Sequence, residues 1–542
     1  MPPAADRVPP GTPEDVRGQA EQPEARAPQF DPTLGIAVPH QPRRGTPPHR
    51  LVVLGDSLSH GFQSGAVYHT DVSWPAIVAH ELGWLDEYRY PVYGGPGGLP
   101  LNIELLLRHL EERFGPRIGL WELPMALFAA RSFMDGVEDY WERGPGRVPP
   151  KVDRYNHDLA IYGWDLRDAL SRTAAMAEQA IERPNDSLLD QIVENDSARA
   201  ALRVFPHWNA EVRRQTLLEA AAALGRDHDG TAECGIETLV VFLGANNALR
   251  SVVDLRVRWT EDDFRDLDRK GRYTVWRPEH FAAELAEVVR AVQAISARHT
   301  IWCTVPHVTI PPVTRGIGHK VRPGSRYFPY YARPWVRDDQ FDPTRDRHLT
   351  EQHARAIDAA IDLYNADIER VVRNARTGSR RRPPRDWFLF DVAGLLDRLA
   401  SRRYIADPNA RPSWWTPYPL PSALAALDPP PDSRFLIGDG TGGRAAGGLF
   451  SLDGVHPTTV GYGVVAQEVV SILQLAGVPF HDPSGHPRVG PVLVDFDRLL
   501  RRDTLVNHPP QNLGATLDVL GWADENLGWV ARALAWRPTP RH

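Results

Sequence analysis

Four residues at three distant places in the chain have the types that acyl transfer requires. Ser57 lies in LVVLGDSLSHG (51–61), an aliphatic run that stops at Gly55 and turns. Such a run bounded by glycine predicts a buried strand ending in a tight turn, with Ser57 just past its carboxyl end. That edge of an open α/β sheet is where ligands bind. A helix starting near Ser59 would favour negative charge developing beside Ser57. Asp453 and His456 stand three apart in DGVHP (453–457), and Asn246 follows the strand-like ETLVVFLG (237–244). A serine hydroxyl is a weak nucleophile until a base takes its proton. Imidazole titrates near neutrality, so His456 is the candidate base, and Asp453 would fix its tautomer. Read alone, each motif is a turn serine, a surface histidine or a turn asparagine. Together and in order they predict a catalytic set.

The blocks GDSL, GANN and DGVHP, in that order, resemble the SGNH/GDSL family of serine hydrolases. The resemblance covers about residues 50–477, with long interruptions. It implies a three-layer α/β/α fold with a flavodoxin-like parallel sheet of about five strands. It also implies ester cleavage through an acyl-Ser57 intermediate, with no cofactor and no metal. The oxyanion donors it implies are the N–H groups of Ser57 and Gly163 and the side-chain amide of Asn246. Gly163 is preferred because YNHDLAIYG (155–163) reads as a strand ending in a glycine turn. Gly94, Gly95, Gly97 and Gly98 form a competing cluster. The family pattern has aspartate where Asn247 stands, so one charge beside the site is missing here.

The elements that must position these residues alternate along the chain. Strands are predicted at 50–55, at 155–163, at 237–244, at 299–307 and at 387–392. Helices are predicted over 72–85, 102–113, 166–181, 278–298, 350–376 and 463–475, with Pro278 opening its helix. Strand and helix in alternation imply a doubly wound sheet. Residues 1–49, rich in Pro, Ala, Arg and Glu, read as a disordered leader. The hydrolase domain spans 50–480, with insertions at about 90–150, 184–235, 310–345 and 400–448. Residues 481–542 form a C-terminal extension. The spare aromatics of the insertions, including Trp121, Phe128, Tyr327, Tyr331 and Trp335, either line a substrate pocket or pack the insertions onto the core.

Bulk properties exclude other classes. The chain has 542 residues, net charge −7 and pI near 6.3, so no global basic field points to nucleic acid. Its two cysteines give no disulfide framework or metal cluster. No apolar stretch approaches the roughly 20 residues of a membrane span, and the first 50 residues lack a signal-peptide core. The expectation is a cytoplasmic enzyme acting on a small-molecule ester or lipid. Gly438 to Gly443 fits G-x-G-x-x-G but precedes no predicted helix, so it reads as a loop. The basic run 380–385 reads as a solvated loop. An O-deacetylase of carbohydrates or other small molecules is the alternative enzyme. A non-catalytic binding protein on the same fold would have lost Ser57, Asn246 or His456, and all three are present.

Overall fold

The computed structural model describes residues 8–512, except positions 23, 40–42, 120, 152, 182–192, 194, 206 and 483. Five parallel strands form the centre: β1 (His49–Gly55), β2 (Asp158–Ala160), β3 (Ile236–Phe242), β4 (Ala297–Cys303) and β5 (Trp387–Phe390). Their order is β2-β1-β3-β4-β5, compatible with a flavodoxin-like layout. The aliphatic runs predicted as strands are buried on both faces, as parallel sheets require. Val52 and Leu54 point into one apolar core and Leu51 and Val53 into the other. All four are fully buried, each contributing about 1.5–3 kcal/mol.

Helices cover both faces. The helices used below are α1 (Ser57–His60), α2 (Trp74–Glu81), α3 (Asn246–Val253), α4 (Pro278–Gln293), α5 (Glu351–Thr377), α6 (Val392–Leu399), α7 (Thr459–Leu475) and α8 (Phe496–Arg502). α3, α4 and α5 pack on one face, and α2, α6, α7 and α8 on the other. Capping residues set several of these bounds. Ser73 accepts from Ala76 N–H, and Thr350 and His353 exchange hydrogen bonds across the first turn of α5. The helix expected over 166–181 is two helices, Leu166–Ser171 and Ala174–Ile181, because Arg172 between them is extended.

One sequence reading needs correction. The leader is ordered where described: its helix Glu14–Ala20 buries Val16 in the core. Beyond it, Pro32 C=O accepts the edge-strand amide of Leu389 at 2.9 Å, and Arg26 pairs with Asp391 at 3.0 Å. Few aliphatics suffice here because the leader is held by backbone and ionic bonds along β5, an edge that would otherwise be unpaired. Residues 1–7 lie outside the described residues. The C-terminal extension is likewise part of the core through residue 512. α8 packs on α7, where a Cβ on Gly463 would lie 2.5 Å from Leu499. Residues 513–542, and 184–192 of the second insertion, lie outside the described residues.

The insertions differ in placement: the helix Leu217–Arg226 of the second packs into the core against the sheet. Residues 90–150 carry helices Ile103–Phe114 and Leu123–Glu142. Residues 310–345 contribute strands Arg315–Ile317 and Tyr330–Ala332 to a small antiparallel sheet. The G-x-G-x-x-G segment is the turn of a two-stranded hairpin, with Asp439 accepting the Thr441 and Gly443 amides. No described helix is long and apolar enough to cross a membrane.

Candidate active site

Three strands end side by side. Gly55 is in register with Ala160 of β2 and with Phe242 of β3. The candidate residues Ser57, Gly163 and Asn246 therefore leave the sheet at one edge. Gly55 has no room for a side chain, since a Cβ would stand 2.5 Å from Ser59. That lack of bulk lets the chain turn at once into α1. α1 is a single turn, shorter than the helix expected near Ser59, because Gly61 at φ +82° ends it. Asp56 caps it, accepting Leu58 N–H at 3.0 Å. Ser57 is its first residue, so its amide is one of the donors a helix cannot satisfy internally.

The structure brings Ser57, His456 and Asp453 together. Ser57 Oγ lies 2.8 Å from His456 Nε2, and His456 Nδ1 lies 3.0 Å from Asp453 Oδ2. All three are buried. A carboxylate can only accept, so Nδ1 carries the ring proton and Nε2 is left to accept from the Ser57 hydroxyl.

Asp453 is fully engaged. Oδ1 accepts the backbone amides of Val455 and His456, both at 2.8 Å. Oδ2 accepts His456 Nδ1–H and, at 3.0 Å, the amide of Gly65. Burial alone would raise this carboxyl. His456 and the amide donors more than offset it, and the group sits below the usual carboxylate range. The loop itself is held by Gly454 at φ +70°, where a Cβ would meet Val313 N at 2.7 Å.

Gly65 is a site residue that sequence reasoning missed. It turns the hairpin formed by Phe62–Gln63 and Ala66–Val67, at φ +82°. Ser64 beside it ties the hairpin to the histidine loop: its amide donates to Ser451 Oγ and its Oγ accepts Leu452 N–H. Phe62 sets its ring tilted, 4.6 Å from that of His456, and the Tyr462 hydroxyl donates to Phe62 C=O at 2.7 Å. Gly65 and Asp453 are 388 positions apart, so no local pattern could have paired them.

Asn246 and Gly163 meet through one residue. Asn246 Nδ2 donates to Trp164 C=O at 2.9 Å, and Gly163, at φ +77°, precedes that carbonyl. The other glycine cluster lies elsewhere: Gly95 packs on Tyr140, and Gly98 C=O accepts Trp141 Nε1–H at 2.7 Å. Asn247 is fully buried with neither side-chain polar atom hydrogen-bonded. His60, three residues past Ser57, is neutral. Burial pushes it down to about 3, and it bridges Tyr162 N–H and the Tyr93 hydroxyl.

Ser57 and His456 open onto an apolar pocket of about 100 Å³. Its walls come from α6 (Leu395, Leu396, Leu399), from α7 (Val464, Val465) and from the loop residues Val308 and Pro311. α6 is the element sequence reading missed. Its apolar residues 392, 395, 396 and 399 follow helical spacing, but the strand reading of 387–392 ran into its first turn. None of the five aromatics singled out above lines this pocket. Trp121, just before the helix Leu123–Glu142, and Phe128 on it are exposed, Tyr327 and Tyr331 are buried within the third insertion, and Trp335 packs at the rim of the core. Among the described residues no group of His, Cys, Asp and Glu has the arrangement of a metal site. Comparison with family models, with curated proteins and with solved structures gives no match.

Proposed function

We propose that this chain is a serine esterase of the SGNH type, cleaving carboxylic esters through an acyl-Ser57 intermediate. The observation that carries the reading is the Ser57–His456–Asp453 chain of hydrogen bonds, 2.8 and 3.0 Å, at the mouth of an apolar pocket. The order of GDSL, GANN and DGVHP on a sheet ordered 2-1-3-4-5 supports the family assignment.

In this mechanism His456 Nε2 takes the Ser57 proton as Oγ attacks the ester carbonyl. The imidazolium that forms is stabilised by Asp453, itself held ionised by four hydrogen bonds. His456 then gives the proton to the departing alkoxide, leaving the acyl group on Ser57. Water, deprotonated by the same nitrogen, releases the acid. The developing oxyanion requires donors at fixed positions. Asn246 carries two Nδ2 hydrogens, of which one goes to Trp164 C=O. The other, with the amides of Ser57 and Gly163, is assigned to the oxyanion.

The apolar walls favour an acyl chain over a sugar in this pocket. An engineered cavity of roughly 150 Å³ accepts benzene, so a space of about 100 Å³ suits an acyl group of about four carbons. A p-nitrophenyl ester series from acetate to palmitate tests this. Turnover should peak near butyrate, and a fluorophosphonate probe should label wild type and not Ser57→Ala. A sharp optimum at acetate would favour the deacetylase reading. Labelling at another serine would overturn the site.

A further inference from the structure

Behind the loop that carries Val308 and Pro311 lies a second cavity of about 310 Å³. It shares walls with the acyl pocket: Thr309 and Pro312 alternate with Val308 and Pro311 along one loop, and Ala400 follows Leu399 at the end of α6. Its chemistry is the reverse. Five arginines line it, Arg315, Arg326, Arg402, Arg403 and Arg434, and among the described residues no aspartate or glutamate does.

Three of these charges are balanced from outside the cavity. Arg315 pairs with Asp338 at 2.6 Å, Arg403 with Asp358 at 3.0 Å and Arg434 with Asp432 at 2.5 Å. Arg402 donates to Gly316 C=O at 2.9 Å and lies over the Phe328 ring, and Arg326 lies over Tyr327. Neither has a carboxylate partner within ion-pair distance among the described residues. Burial first, then Arg315 and Arg434 alongside, push Arg402 down from its ordinary value with Asp338 acting against them, whereas Arg326 is held up against burial by Tyr327. Two further features mark the wall. The Thr314 hydroxyl, closed off within it, has no hydrogen-bond partner. Arg402 and Arg403 also sit on a wide π-type turn, Ser401–Ile405, in which Ile405 N–H reaches back to Ala400 C=O. Such turns are costly and concentrate at functional sites.

We propose that this cavity binds a phosphoryl group, with Arg402 and Arg326 supplying the charge and Arg434 completing the hydrogen bonds. Planar guanidinium donors suit a tetrahedral oxyanion in two-point contact. Because the acyl pocket lies just across the loop, the phosphoryl group belongs to the ester substrate. That substrate arm rests on the esterase reading, whereas the binding site itself does not.

Two measurements separate these. First, inorganic phosphate is titrated into Ser57→Ala protein by calorimetry, in a buffer without competing anions. Binding is expected in the millimolar range or tighter and should weaken roughly tenfold in Arg402→Ala. Arg402→Lys, which preserves charge but not the fork, should restore only part of it. Arg434→Ala, at an exposed position, repeats the test with little risk to folding. No phosphate binding, or binding equal in all variants, overturns the site whether or not the protein is an esterase. Second, butyryl glycerol 3-phosphate is compared with monobutyrin on active enzyme. A kcat/KM preference of about tenfold for the phosphate ester, lost in Arg402→Ala while p-nitrophenyl butyrate turnover is unchanged, supports a substrate subsite. Phosphate binding without that preference overturns the substrate arm and leaves a site for free phosphate.

Discussion

Two buried carboxylates flank Ser57, and they are treated in opposite ways. Asp453, on the histidine loop, has both oxygens filled with two hydrogen bonds each. Asp56, at the end of β1, uses one oxygen to accept Leu58 N–H and leaves the other buried and unpaired. Both are removed from water, yet Asp453 is held below the ordinary carboxylate range and Asp56 is pushed up to about 7 by burial. Burial alone therefore does not set charge; the neighbouring His456 and the hydrogen-bond donors do. The histidine loop is a satisfied network that fixes an ion. The strand-end side, with Asp56, Ser59 and Asn247 all carrying unpaired buried atoms, stores desolvation cost of about 1–3 kcal/mol for each such group. Environments that push two carboxyls apart in this way are a hallmark of acid–base sites.

The largest expected effect breaks the satisfied member of the pair. In Asp453→Asn, one position of the side chain becomes a donor. If the amide nitrogen takes the place of Oδ2, it faces His456 Nδ1–H and the Gly65 amide. Turned the other way, it faces the amides of Val455 and His456. No orientation satisfies both ends, so the imidazole is driven to the wrong tautomer or the loop shifts. kcat on a p-nitrophenyl ester should fall by roughly 10⁴, with a lower Tm. A variant within tenfold of wild type would remove Asp453 from the proposed mechanism.

Next in size is Asn246→Ala, on the strand-end side. If the second Nδ2 hydrogen serves the oxyanion, kcat should fall by about 10²–10³ with KM little changed. If Asn246 only ties down Trp164, the loss should be in thermal stability, with kcat nearly intact. Steady-state kinetics with a melting curve on the same sample separates the two.

How far the sequence carried depended on how local each signal was. The strand at 237–244 shows itself in an unbroken aliphatic run and is observed as Ile236–Phe242. Ser57 and His456 were legible because strand ends and glycine turns mark them locally. The Asp453 hydrogen bond to Gly65 was not legible, since it joins residues 388 positions apart. The leader was misread because composition reports its few aliphatics but not the edge strand it lies against. The arginine-lined cavity was equally hidden. Arg315, Arg402 and Arg434 lie far apart in the chain, where charge ordinarily faces water, and only the tertiary fold brings them around one cavity. Trp121 and Phe128 erred in the other direction, as large rings that the sequence suggested for a pocket or core and the fold leaves exposed.

The smallest effect, and the one that sharpens the comparison most, is Asp56→Asn. A carboxyl whose pKa is about 7 in the folded chain and near 3.9 unfolded holds its proton in the native state across roughly pH 4 to 7. Folding there takes up a proton, so its contribution to stability declines as pH rises through that window and stays low above it. Asparagine keeps an oxygen for Leu58 N–H and is an equally good helix cap. It carries no charge, so it escapes the cost of ionising a buried group. Asp56→Asn should come closest to wild type in urea unfolding near pH 4 and exceed it increasingly toward pH 8, by at most about 4 kcal/mol given the size of the shift. Its kcat should stay within about tenfold, because Asp56 touches neither His456 nor Ser57 Oγ, in contrast to the same change at position 453. A stability difference independent of pH would show that Asp56 is not the titrating group, and the contrast between the two carboxylates would then rest on geometry alone.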